Sequence, residues 1–169
     1  MANTYDAIAT TEVGSGGTAS IEFTSIPQTY TDLKIVVSGR STGTGGFDSL
    51  RVFFNGNTAN FTVRELRRSG SSSLDSYAIG YAQAGYVTET TVGTSIFSNG
   101  EIYIPRYTSG YYKTSLADND AENNSASGMV ILSARLWSNT DAITSITVKP
   151  NDGSFVQYTS ASLYGIKNS

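Results

Sequence analysis

The run Met129–Trp137, Met-Val-Ile-Leu-Ser-Ala-Arg-Leu-Trp, constrains this chain more than any other stretch. At a two-residue period, Val130, Leu132, Ala134 and Leu136 share one face, and Met129, Ile131, Ser133, Arg135 and Trp137 share the other. Apolar residues on both faces, with the single tryptophan of the chain at the end, predict a central strand covered on two sides. The alternative is that a neighbouring subunit covers the Met129, Ile131 and Trp137 face. Beyond the polar Ser138–Asp141 comes Ile143–Val148, Ile-Thr-Ser-Ile-Thr-Val, whose β-branched side chains suit a pleated surface. Two such runs across a short polar loop predict a hairpin within Gly128–Pro150.

Alternation and turn residues continue through the chain. Strands are predicted over Tyr5–Val13, Thr18–Ser25, Leu33–Arg40, Leu50–Phe54 and Phe61–Arg68, with Asn55-Gly56 the strongest short turn signal and Phe61–Arg68 returning from it after the loop Asn57–Asn60. Ser69–Ser73 reads as a Gly/Ser loop, and Leu74–Thr91 alternates only weakly. Ser95–Ile104 and Tyr111–Leu116 read as strands, Asp118–Ser127 as a polar loop, and Ser154–Ile166 as the closing segment. No stretch holds a 3.6-residue period for more than two turns. The 17 glycines against 3 prolines fit frequent turns. Around ten short strands without repeat or linker predict one all-β domain over residues 1–169, an antiparallel β-sandwich of jelly-roll type.

Composition narrows the chemistry. The chain has neither cysteine nor histidine, which removes disulfides, thiolate nucleophiles, Ser-His-Asp and Cys-His catalysis and the commonest metal ligand. A net charge of −3 gives no field for steering toward nucleic acid. No run approaches the length of a membrane span, and the N-terminal residues lack the basic and apolar parts of a signal peptide. The expectation is a non-enzymatic protein with no partner among nucleic acids or membranes, either assembled in a cytoplasm or exported by a route the sequence does not show.

Candidate sites are few. Asp118, Asp120 and Glu122 offer oxygen ligands at alternating positions, as calcium prefers, but without the mid-loop glycine and final glutamate of a helix-loop-helix site. A solvated loop explains them better, and no other cofactor is expected. A carboxylate pair could run glycoside hydrolysis, yet none can be picked out. Gly14–Gly17 and Gly43–Gly46 lack the following Lys-Ser/Thr of a phosphate cradle. Arg64, Arg67 and Arg68 form a small basic cluster that either grips an acidic partner or lies solvated. Asn60-Phe61-Thr62 and Asn123-Asn124-Ser125 match glycosylation sequons. Tyr103, Tyr107, Tyr111 and Tyr112 cluster around Pro105, where amphipathic rings would stack on a sugar or anchor an interface, or simply pack across strands. With Trp137, these tyrosines and arginines are the candidate contact residues.

Five phrases together resemble the small β-rich structural proteins of tailed bacteriophages. They are Ser25-Ile26-Pro27-Gln28-Thr29-Tyr30-Thr31-Asp32-Leu33, Leu50-Arg51-Val52-Phe53-Phe54-Asn55-Gly56, Glu101-Ile102-Tyr103-Ile104-Pro105-Arg106-Tyr107, Leu136-Trp137 followed by Ala142-Ile143-Thr144-Ser145-Ile146, and Ser162-Leu163-Tyr164-Gly165-Ile166. They run in order along almost the whole chain, and each is a strand or turn rather than a functional motif. The resemblance implies a virion protein of jelly-roll type. In the first version it is a capsid decoration (cement) protein, homo-oligomeric and trimeric by preference, bound to the major capsid protein or other virion proteins. In the second it is a tail- or fibre-associated module binding a host receptor or glycan.

Overall fold

Twelve strands, the central ones with inward-facing apolar residues at every second position, make up a computed structural model that describes residues 5–70, 75–93, 95–123 and 127–167. In chain order they are β1 (Tyr5–Glu12), β2 (Ile21–Phe23), β3 (Asp32–Ser41), β4 (Phe47–Phe54), β5 (Phe61–Ser69) and β6 (Asp75–Ile79). There follow β7 (Gln83–Glu89), β8 (Ser98–Ile104), β9 (Lys113–Ala121), β10 (Met129–Trp137), β11 (Ile146–Pro150) and β12 (Ser160–Ile166). No helix occurs among the described residues.

The strands form two layers. The large sheet runs β6-β5-β10-β9-β8-β3-β12-β1 and the small one β2-β11-β4-β7. All pairings are antiparallel except one: the end of β3 lies parallel to β7, with Arg40 opposite Thr88 and Ser41 opposite Glu89, and joins the layers at a corner. The all-β sandwich expected from the alternation is therefore present, with this one parallel departure. Leu33, Ile35 and Val37 of β3, Ile102 and Ile104 of β8, and Leu163 of β12 fill the large sheet's inner face. Leu50, Val52 and Phe54 of β4 with Ile146 and Val148 of β11 meet them from the small sheet. Full burial of such side chains stabilises by about 1.5–3 kcal/mol each.

Three expectations are corrected. The Gly128–Pro150 hairpin does not form: β10 pairs with β5 and β9, while β11 crosses to the small sheet between β2 and β4. Ile143 is buried in the crossover, so the apolar content of the second run serves the core rather than a ladder to β10. The Asn55-Gly56 turn is present, with φ of 53° and 66°, but it carries the chain from one sheet to the other instead of closing a β4–β5 hairpin. Asn55 fastens that turn to the crossover: its Nδ2 donates to the Ala142 carbonyl (2.8 Å) and its Oδ1 accepts from the Thr144 N–H (2.8 Å). Finally, Asp118–Ala121 belong to β9 rather than to a loop. Of the Ser69–Ser73 loop, residues 71–73 lie outside the described residues, as do Asn124 and Ser125 of the second sequon.

The weakly alternating Leu74–Thr91 contains β6 and β7. Its pattern is blurred because a bulge at Gly85 shifts the β4–β7 register between Leu50 and Arg51.

Candidate interaction surface

Trp137 points inward, and this sets the orientation of β10. Its ring lies edge-on to Phe54 (5.6 Å) and stacks with Phe61 (6.2 Å), with Lys113 of β9 directly opposite in register. Two residues back, Arg135 also points inward. Its Nε donates to the Gln83 carbonyl (2.8 Å), its Nη1 to Ser115 Oγ (3.2 Å) and its Nη2 to the Val52 carbonyl (2.7 Å). Its guanidinium also sits 5.6 Å from the Phe54 ring centre. Burial pulls the Arg135 group down to about 10, still charged at neutral pH. A second tie lies alongside: Gln83 Nε2 donates to Glu65 Oε2 (2.6 Å) and accepts from Ser49 at Oε1 (3.1 Å). Burial pushes the Glu65 carboxyl above its usual range, against the opposing pull of Gln83 and Arg67. Both networks are enclosed between the sheets and bond the layers together.

Because Arg135 is bonded and Trp137 packed inward, the opposite face of β10 turns out with its apolar side chains. Val130 is 66% exposed and Leu132 45%, although both are large hydrophobics. The register places Leu66 of β5 beside Leu132 on one side and Asp118 of β9 on the other. Val130 has Arg68 and Asp120 as its two flanks, and Ala134 has Arg64 and Leu116. Leu66 and Leu116 are themselves exposed. Beyond β9 the same face carries Tyr103 and Glu101 of β8, then Lys34 of β3, whose Nζ pairs with Glu101 at 2.6 Å. That hydrogen-bonded pair raises the Lys34 ammonium above its ordinary value. Tyr103 donates its hydroxyl to Asp32 (2.7 Å), chiefly for which reason its pKa is raised to about 12. The surface is thus a three-strand band: a basic edge on β5, an apolar centre on β10, an acidic edge on β9.

The candidate contact residues separate accordingly. Arg64 and Arg68 flank the band, but Arg67 turns the other way, its Nη1 donating to the Tyr86 hydroxyl (2.6 Å) and its Nε lying 3.9 Å from Glu65. Tyr103 lies on the sheet face. Tyr111 and Tyr112 are exposed in the loop between β8 and β9, away from the band's centre. Tyr107 is buried, with its hydroxyl bonded to the Pro27 carbonyl, and Trp137 is core. The tyrosine cluster of the sequence therefore divides between core and surface, because the chain reverses at Pro105. Asp118 and Asp120 project outward from a strand, with Glu122 just past its end. No group of three or more acidic residues is placed to hold a metal among the described residues.

Sequence reasoning found the alternation of β10 but missed Leu66 and Leu116 as its exposed neighbours. They become visible only with the β5–β10–β9 register, which nothing local in those strands specifies. No protein-family model matches the chain, and no curated protein matches its sequence.

Proposed function

We propose that the chain is a non-enzymatic structural protein of a bacteriophage virion, a decoration protein that braces the assembled capsid, and that its copies pack together through the β5–β10–β9 face. The observation that carries this reading is the apolar band between oppositely charged edges. A contiguous exposed apolar patch of this kind marks an interface. A two-fold axis parallel to β10, midway between two such faces, lays β10 on β10 and β5 of one copy over β9 of the other. Arg68 of one copy then stands level with Asp120 of the second, since both flank Val130 in the register. The three strands of the band, about 4.8 Å apart and paired over nine residues at about 3.4 Å, offer roughly 450 Å² per copy, which suits a weak pair. This geometry favours two-fold pairing over the trimer that the resemblance suggests.

Further support comes from the connectivity. The small sheet runs β2-β11-β4-β7, and in the large sheet β3 and the β5–β6 pair flank the sequential β8–β9–β10 meander. The chain alternates between layers from β1 to β5 and again from β10 to β12, which favours the jelly-roll reading, while β5–β6 and β8–β10 stay within one sheet. A brace acts by mass action: a protein that binds only the assembled lattice stabilises that state in proportion to its occupancy. Copy number in intact particles, read from cryo-electron microscopy density, tests the reading. Copies in large multiples over the head are expected, and a handful per particle at the tail would overturn it.

A further inference from the structure

The outer face of the small sheet, on the side of the molecule away from the β10 band, carries an open cleft of about 360 Å³. Its floor is Arg51 and Phe53 of β4 beside Lys149 and Thr147 of β11, its wall is Tyr81, and its rim is the turn at 56–58. Arg51 and Lys149 are direct cross-strand partners, as are Phe53 and Thr147. Like charges set directly opposite each other on a sheet are destabilising. No carboxylate offsets that cost among the described residues, where neither cation forms an ion pair. The acidic residue on this face, Glu22, pairs with Thr147 on its far side and accepts a hydrogen bond from Ser20.

The Arg51 side chain is already oriented. Its guanidinium lies 4.6 Å from the centre of the Tyr81 ring, and its Nε is buried without a hydrogen-bond acceptor. A planar donor held against an aromatic face, with a second cation alongside, is built to meet a carboxylate. Tyr81 is exposed and adds aromatic surface, on which the C–H face of a sugar ring packs; Phe53 is buried beneath it in the floor, and the Thr147 hydroxyl supplies a polar contact for ring hydroxyls. The volume fits the smaller end of ligand sites.

We propose that this cleft binds an acidic saccharide unit, a six-membered sugar ring carrying a carboxylate, with Arg51 and Lys149 on the carboxylate and Tyr81 against the ring. The site is separate from the β10 band, so either stands if the other fails.

The test is titration of the full chain, followed by amide NMR shifts, with three probes: D-glucuronate, methyl α-D-glucoside (ring without charge) and acetate (charge without ring). Glucuronate is expected to saturate in the millimolar range, about tenfold tighter than either control, with shifts centred on β4, β11 and Tyr81. Arg51→Gln and Tyr81→Ala should each weaken it about tenfold, while the rest of the amide spectrum stays unchanged. Lys149→Gln serves the same purpose should either variant unfold, since its side chain lies on the outer face. Acetate or methyl glucoside binding as tightly as glucuronate would overturn the proposal. So would shifts centred elsewhere, no saturation by about 50 mM, or full binding by the folded variants.

Discussion

Arg135 Nη2 lies 2.7 Å from the Val52 carbonyl, so a buried guanidinium on β10 bonds to the backbone of the facing sheet. The neighbouring donors reach Gln83 and Ser115, and the two layers are held in one relative position by a side chain that hydrophobicity alone would place outside.

Arg135→Ala should therefore destabilise the fold by about 3–5 kcal/mol, through an unfilled volume and carbonyls left without a donor. Arg135→Lys keeps the charge but not the planar fork and should recover less than half of that. Urea unfolding measures both, and a loss under about 1 kcal/mol for the alanine variant would show that the tie is dispensable.

Gly85 has a φ of +135°, and a Cβ there would stand 2.6 Å from the side chain of Asn119. Asn119 itself bridges layers, its Oδ1 accepting from the Tyr86 N–H (2.7 Å) and its Nδ2 donating to the Asn99 carbonyl (2.9 Å). Gly85→Ala should cost about 2–4 kcal/mol from backbone strain and overlap together. Adding Asn119→Gly, which takes away the Cβ as well as the amide, removes the overlap but not the strain. The double variant should lose at least about 1 kcal/mol less than the sum of the two single losses. Simple additivity would mean that the contact is not what excludes a side chain at 85.

Glu65 gives a pH signature. Burial favours its protonated form, so its folded value lies above the ordinary one near 4.5. Between the two values the folded state holds more protons than the unfolded, and stability falls as pH rises. Glu65's contribution is full below the unfolded value and is lost as pH climbs through the folded one. Glu65→Gln removes the titration, so the stability of this variant relative to wild type should grow from pH 4 toward neutrality. A difference that stays flat over that range, read from denaturant midpoints, would count against the buried carboxyl as described.

Charge reversal probes the pairing of β10 faces. Arg68→Glu sets like charges against Asp120 of a second copy, and Asp120→Arg does the same from the other side. Each should lower self-association about tenfold by sedimentation, and the two together should restore it. Within one copy Arg68 and Asp120 stand on either side of Val130, so monomer stability should change by no more than about 0.5 kcal/mol. Association unaffected by either single reversal would place the interface elsewhere.

Much of the fold could be read from the chain because a strand that buries one face leaves a period of two in its own residues. β3, β4, β5, β8 and β10 all carry that period, and each was legible. Leu74–Thr91 was not, because the bulge at Gly85 breaks the period in mid-strand. Asp118–Ala121 resisted for another reason: β9 keeps a perfect alternation of burial, but it places Asn119 and Ala121 inside and aspartates outside, so polarity hides the strand. The surface band was half legible, since Val130 and Leu132 already stood together while Leu66 and Leu116 belong to other strands.

The Met129–Trp137 run shows where the division falls. Its sequence determined that it is a strand and which residues share each face, because covalent geometry sends successive side chains to opposite sides. It did not determine the partners, which are β5 and β9 rather than the run that follows, nor which face is inside. Only the tertiary structure decided that. Ser115 and the free carbonyls of Val52 and Gln83 lie where Arg135 reaches them, and Phe54 and Phe61 lie where Trp137 packs. A buried polar group is tolerated where its partners are already in place, and those partners come from the preceding strand β9 and from β4 and β7, remote in sequence. With Arg135 bonded and Trp137 packed inward, the two-residue period left Val130 and Leu132 no direction but out.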